Sequence, residues 1–445
     1  MEINTIRNLT LFQTLRSKLY LIYIPILACV FLNIALNRAN HFPRTHIIWS
    51  DTEGYYMYLP ALFIIKDVHK VPSGSVLPQL NEKGEHVIKY TCGVAMMELP
   101  FFLIAKWYCQ IKSCDWTDYF NIHYVRAMAL CGYFYGFLGL FFLAGALRRR
   151  FSEAITFWTI LSVFLGTNLF HYMTRSMAMS HAYSFCLFAF IVWFTPVIYR
   201  KPTLLKAILL GLIMGLNILT RPTNAIILVF ILLYDVYRVE ELKVRLRFLL
   251  AHWPKIFVAV VASSMVFIPQ LIYWYEMTGK VIRYSYENEG FIYWLKPKIA
   301  AVLFDTQNGL FLYSPMALLM VIGIIIGLKG KQYQGISLAV IFCVITYLFA
   351  SWWAWWFGGA FGHRSYVEFY ALFAIPLAGL YERVIQHKGF LLKIIMFLVS
   401  GFFMFYSVKM SMLHSYLPGP WDGADWRWNW EKIEWVWSYL FKPLH

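Results

Sequence analysis

The segment Trp49-Ser50-Asp51-Thr52-Glu53-Gly54-Tyr55-Tyr56 sets two carboxylates two residues apart among aromatic side chains. Such a pair can supply a general base together with a ligand for a metal ion or an acceptor hydroxyl. The spacing has a second reading. Ser50-x-x-Glu53 matches a capping box, in which both side chains satisfy backbone N–H groups at a helix start. A cap can use Glu53 and leave Asp51 free, so the two readings are compatible.

Basic and polar residues recur further along. In Lys89-Tyr90-Thr91-Cys92-Gly93, a lysine and an aromatic precede an apolar stretch. A helix starting there would add partial positive charge and suit an anionic headgroup; a snorkelling lysine explains the residues equally well. Arg175 and His181 flank Met177-Ala178-Met179-Ser180, and Arg221-Pro222-Thr223-Asn224 closes another apolar run. An arginine at such a position needs compensation, by a phosphate or by a carboxylate such as Asp51 or Glu53. His181 fits a proton carrier or a hydrogen-bonded interface histidine. Glu287, within Tyr284-Ser285-Tyr286-Glu287-Asn288-Glu289, and Asn308, within Asp305-Thr306-Gln307-Asn308-Gly309, mix carboxylates and amides with aromatics. That mixture suits sugar rings, or an interfacial aromatic belt with ordinary turns. Finally, a tryptophan-rich run leads into Gly358-Gly359-Ala360-Phe361-Gly362-His363-Arg364. Glycines there permit close backbone approach beside an arginine able to bind phosphate.

The elements that must position these residues are membrane helices. Hydrophobic residues make up 60% of the 445, charged residues only 14%, and mean hydropathy is +0.57. A soluble domain carries roughly 25% charged residues, so a water-facing shell cannot be built from this chain. The net charge of +16 does not point to nucleic acid, because the basic residues fall between apolar segments. Seven cysteines show no CxxC and no metal-ligand spacing. Cys92, Cys109 and Cys114 share one loop region and could include a disulfide, though burial as small hydrophobes is the plainer reading.

At about 20 apolar residues per crossing, about eleven spans are expected. They cover 19–36, 122–147, 154–170, 182–199, 204–219, 225–237, 257–274, 310–328, 336–350, 366–380 and 391–408. The first follows Arg7, Arg16 and Lys18 and reads as an uncleaved signal anchor. The stretch 93–109 is apolar too. Leaving it as a non-crossing interfacial helix puts Arg148-Arg149-Arg150, Arg200-Lys201, Arg238/Lys243/Arg245/Arg247, Lys329/Lys331 and Arg383/Lys388 on the side of the N-terminus. Counting it as a crossing throws all of them outward, against the positive-inside trend. The expectation is an all-α polytopic protein in the cytoplasmic membrane, N-terminus inside. Its membrane domain covers 1–409, with a first outer loop at 37–121 bearing interfacial helices, and a tryptophan-rich outer tail follows at 410–445. The candidate residues then share the outer, periplasmic face.

Read together and in order, these segments resemble the GT-C superfamily of membrane glycosyltransferases, in particular the bacterial branch akin to protein O-mannosyltransferases and lipid A aminoarabinose transferases. Asp51-Thr52-Glu53 with Tyr55-Tyr56 resembles that family's acidic first-loop motif. Tyr90-Thr91-Cys92-Gly93 is similar to its Tyr-Pro-Pro-Gly stretch, with Thr91 and Cys92 in place of the prolines. Met179-Ser180-His181, Arg221 to Asn224, Asn308 to Phe311 with Ser314-Pro315, and Gly358 to Arg364 resemble further recurrent segments.

The resemblance implies transfer of a sugar from a polyprenyl-phosphate donor to a lipid, glycan or protein acceptor, with inversion. Asp51 would be the base. Glu53 would orient the acceptor or hold a divalent metal, the one cofactor in view. Arg221 and Arg364, backed by Lys89 and His181, would bind the donor phosphate. Tyr55, Tyr56, Tyr90, Arg175, Glu287, Asn308 and His363 would contact substrate. Rival readings are a transporter or flippase of lipid-linked glycans, and a ligase or polymerase using a lipid diphosphate. Transporters carry ionisable groups near the bilayer midplane, and few are placed there in this chain.

Overall fold

Inside a bilayer no water is available to satisfy backbone polar groups, so apolar runs of this kind close their hydrogen bonds within helices. The computed structural model describes residues 19–41, 47–71, 79–287, 289–414, 434 and 437–442. Most of the expected outer tail at 410–445, parts of the first outer loop (42–46 and 72–78) and Asn288 lie outside the described residues.

In chain order the main helices are α1 (Tyr20–His41), α2 (Asp51–Tyr56), α3 (Gly93–Ile111), α4 (Ile122–Leu147) and α5 (Glu153–Leu165). They continue as α6 (Ser180–Arg200), α7 (Leu204–Thr220), α8 (Ile227–Leu232), α9 (Val239–Ala251) and α10 (Trp253–Thr278). The last are α11 (Met316–Gly330), α12 (Gly335–Ser351), α13 (Tyr370–Gln386) and α14 (Phe390–His414). Every expected span therefore contains a helix, and the fold is all-α and polytopic. Strand is confined, among the described residues, to a hairpin pairing Gln79–Leu80 with His86–Val87.

Helix α9 was expected only as a basic inner link. Its sequence is amphipathic, and Glu241 caps it by accepting the Tyr237 and Arg238 N–H groups at 2.6 and 3.0 Å. The box expected at Ser50 and Glu53 does not start α2 in that way. Ser50 takes a positive φ of 56° and makes no side-chain cap; Thr52 Oγ1 instead accepts from the Trp49 N–H at 2.7 Å. The cysteines are free thiols.

Six helices, α3 among them, are long and apolar enough by length and composition to cross a membrane. Packing sets α3 against one half of α4. Helices α1 and α4 run antiparallel along their whole lengths: Tyr20 meets Phe141 at 5.2 Å, and Arg126 Nε donates to Asn40 at 2.9 Å. The end of α1 and the start of α4 therefore lie at the same end of the bundle. Helix α3 follows only the near half of α4. Tyr108 meets His123, Phe102 stacks on Tyr124, and Tyr135 OH donates to the Met97 carbonyl. Its start is buried level with Cys131, and its end returns to the tip of α4.

That depth matters for chemistry. Tyr55, Val94, Met97, Cys131 and Tyr183 form one buried cluster. At 1.5 Å per residue, Cys131 lies roughly 14 Å along α4 from its tip. The loop residues of α2 are thus held in a recess walled by α3, not at the rim. Protease-cleavage sites inserted after Lys83 and after Lys112 are expected to be cut from the same side of sealed vesicles, with one after Lys201 cut from the other. Cutting at Lys83 and Lys112 from opposite sides would make α3 a crossing.

Candidate active site

Asp51 opens α2, and its two carboxylate oxygens are both engaged. Oδ1 accepts from the Tyr90 hydroxyl at 2.5 Å, and Oδ2 lies 3.0 Å from Arg364 Nη1. Burial by itself would raise this carboxyl. Arg364, the Tyr90 hydrogen bond and the further charges of Lys89 and Arg221 outweigh it and hold Asp51 below the usual carboxylate range. Tyr90 responds in the opposite sense, pushed up by burial and by the neighbouring Asp51.

Close approach fixes Tyr90. A β-carbon at Gly54 would lie 2.4 Å from the Tyr90 ring, so only glycine lets that ring rest on α2. The Tyr90 carbonyl accepts from Tyr58 OH at 2.7 Å, and the Cys92 N–H donates to buried Gln270 on α10 at 2.7 Å. At Gly93 a β-carbon would meet the Thr220 amide at 2.4 Å, which seats the start of α3 against the end of α7, beside Arg221. Thr91 and Cys92 hold this turn directly: Thr91 Oγ1 donates to the Leu219 carbonyl, and the Cys92 N–H to Gln270.

A second charge cluster adjoins the first. Arg221 Nε lies 3.4 Å from Glu368 Oε1, Nη1 lies 3.1 and 3.2 Å from the two His181 ring nitrogens, and Nη2 donates to Ser365 at 3.3 Å. His181 Nδ1 is also 3.1 Å from Glu368 Oε2. A neutral imidazole protonated at Nδ1 donates to Glu368 and accepts from Arg221 at Nε2, satisfying both neighbours. Arg221 and Arg364 each act on Asp51, Tyr172 and Tyr286, so the two clusters form one site.

Arg221 was expected to pair with Asp51, Glu53 or a phosphate; its carboxylate partner is Glu368. Sequence reading passed over Glu368, although an acid at the edge of an apolar run was the available signal. Lys89 ion-pairs with Glu289 and lies 4.9 Å over the Tyr286 ring, at the site's edge. The Tyr55 ring packs at a tilt against Tyr90, centroids 4.7 Å apart, and its hydroxyl donates to Ser180 at 3.4 Å.

Other expected residues serve elsewhere. Tyr56 turns into the core and donates to the Tyr119 carbonyl at 2.6 Å. Arg175 is buried near His171 and His414, beside α14. Glu287 pairs with Arg283 at 2.8 Å and is half-exposed. Asn308 Nδ2 donates to the Trp356 and Gly358 carbonyls at 2.8 and 3.1 Å. His363 Nε2 donates to the Trp355 carbonyl at 3.1 Å, and burial pushes its imidazole down to about 3. Asn308 and His363 thus shape the loop that delivers Arg364.

Glu53 is buried on α2. Among the described residues the donor atoms that gather as a metal set are those of Cys109, Cys114 and His123, at the far end of α3. With both Asp51 oxygens engaged and three cations nearby, the residues around Asp51 and Glu53 do not fit a divalent metal.

The family model described as Alg9-like mannosyltransferase matches residues 88–291, a stretch that includes Tyr90, His181 and Arg221 but neither Asp51 nor Arg364. The chain is a membrane glycosyltransferase. No curated protein and no solved structure matches it. The glycosyltransferase thus closes its charged recess with residues from both sides of the matched stretch.

Glu368 is fully buried, so stripping it from Arg221 should be costly. Glu368→Ala is expected to destabilise the protein by about 3 kcal/mol, read as thermal unfolding in detergent. Arg221→Gln with Glu368→Gln, which removes both charges, should recover most of that loss. An unchanged melting temperature in Glu368→Ala would show that Arg221 does not depend on it.

Proposed function

We propose that the enzyme transfers a sugar from a polyprenyl-phosphate donor to an acceptor hydroxyl within this recess, with inversion at the anomeric carbon. The observation that carries the reading is the engagement of Asp51 by Arg364 beside a second paired arginine, Arg221. The match to Alg9-like mannosyltransferases makes mannose the first sugar to test. The basic clusters at the opposite end favour an N-in arrangement with the recess opening outward, as in the bacterial branch the sequence resembles.

Asp51 accepts the acceptor's proton while that oxygen attacks the anomeric carbon. The bond from that carbon to the phosphate oxygen breaks, and the lipid phosphate leaves carrying the additional negative charge. Each guanidinium presents five donors, and its carboxylate engages only part of them, so Arg364 and Arg221 retain N–H groups for a phosphate. The pairing of Asp51 with Arg364 links the two ends of the step. As Asp51 is neutralised by the incoming proton, the hold of Arg364 on it weakens just as negative charge develops on the leaving group. Preformed cations aimed at developing charge are the strongest stabilisation such a site offers.

Asp51→Asn is expected to lower transfer by about 10²–10⁴-fold while the protein still inserts and binds donor lipid. Transfer at the wild-type rate would remove Asp51 as base. A carboxyl held low stays ionised, so transfer should show no acid limb from Asp51 between about pH 5 and 8. Arg364→Gln removes the largest lowering influence and lets burial dominate, which should move an acid limb up into that window. A profile unchanged in shape would show that Arg364 does not set the state of Asp51.

A further inference from the structure

At the end of the bundle opposite the recess, a cavity of about 260 Å³ lies between the α4–α5 turn, the end of α6 and the segment after α8. Three arginines line it: Arg149, Arg150 and Arg200. Among the described residues none of the three makes an ion pair. Arg149 donates to the Trp193 carbonyl and lies 5.1 Å over that indole, and Arg150 lies 4.7 Å over the Tyr333 ring. The nearby acids contact other groups and form no ion pair with these three. Glu153 pairs with Arg148 at 2.5 Å, Glu382 accepts from Tyr333 at 3.0 Å, and Asp235 accepts from Gln334 at 2.5 Å.

Three guanidinium groups around one cavity repel one another, and burial adds to the cost for Arg149. An anion in the cavity removes both penalties. Apart from Tyr234 and Gln334, the remaining wall is apolar, including Val192, Phe230 and Ile375. A site with cations at its mouth and hydrocarbon along its side matches an amphiphile more closely than a free ion. We propose that this cavity binds the phosphate headgroup of an anionic membrane lipid, with the first acyl carbons lying along the apolar wall. Basic pockets between membrane helices bind anionic headgroups in this way. The site is separate from the Asp51 recess and does not rest on the reading of that recess.

The test is native mass spectrometry of the full chain in mild detergent, supplied with equal phosphatidylglycerol and phosphatidylcholine. One phosphatidylglycerol per chain is expected to be retained in preference. Arg149→Gln with Arg200→Gln should weaken that retention by about tenfold or more. Arg200→Gln alone, at an exposed side chain, serves where the double variant fails to fold and should weaken retention in the same direction. Lys201→Gln, next to the cavity but not lining it, should leave retention unchanged. Equal retention of the two lipids overturns the proposal. So does an equal loss in Lys201→Gln and Arg200→Gln, which would mean surface charge alone. Displacement of phosphatidylglycerol by inorganic phosphate at low concentration would assign the cavity to a free anion and overturn it too.

Discussion

Opposite charges held side by side in a largely covered recess fix one another, and the contact between Asp51 and Arg364, each side chain about one-fifth exposed, organises the rest. Asp51 opens α2 and Arg364 follows α12 in the chain, so their meeting requires most of the bundle to be assembled. Around it, Tyr90 fills the second oxygen of Asp51, Gly54 makes room for Tyr90, and the loop held by Asn308 and His363 sets Arg364 in place. Arg221, His181 and Glu368 repeat the arrangement a step away. A buried ion pair contributes little net stability against an apolar alternative. Its presence here fits the proposed role of binding a ligand that brings negative charge.

The recess also explains the role of α3. An apolar helix of this length could cross a bilayer, yet it runs back along half of α4 and walls the site. The buried start of α3 is seated against α7, so Tyr90 and Arg221 are brought near each other by the same close contact at Gly93. One helix therefore supplies shelter, depth and the placement of a site residue.

The fold was legible in the sequence because membrane helices announce themselves by length and polarity; the non-crossing reading of α3 rests on the charge pattern. Asp51, Tyr90, Arg221 and Arg364 were legible as residue types that apolar surroundings do not tolerate without a reason. Their partners were not. Which carboxylate meets Arg221 depends on tertiary packing, and Glu368 hid at the edge of an apolar run. Tyr56, Glu287 and Arg175 show the converse. Each carries suitable chemistry, but the direction of a side chain on a short helix or loop is set by neighbours distant in sequence. Asn308 and His363, read as substrate contacts, donate to backbone carbonyls of the loop bearing Arg364, a placement that motif reading does not reveal. Helix α9 was missed because its charges resembled a link, although the amphipathic spacing and Glu241 at the third helical position were the available signals.

The most direct measurement is a structure of the protein with a non-transferable polyprenyl-phosphonate sugar. The phosphonate is expected within hydrogen-bond distance of Arg221 and Arg364, with the anomeric carbon open to Asp51 on the opposite side. A phosphonate seated among the arginines at the other end of the bundle, with the Asp51 recess empty, would contradict the account.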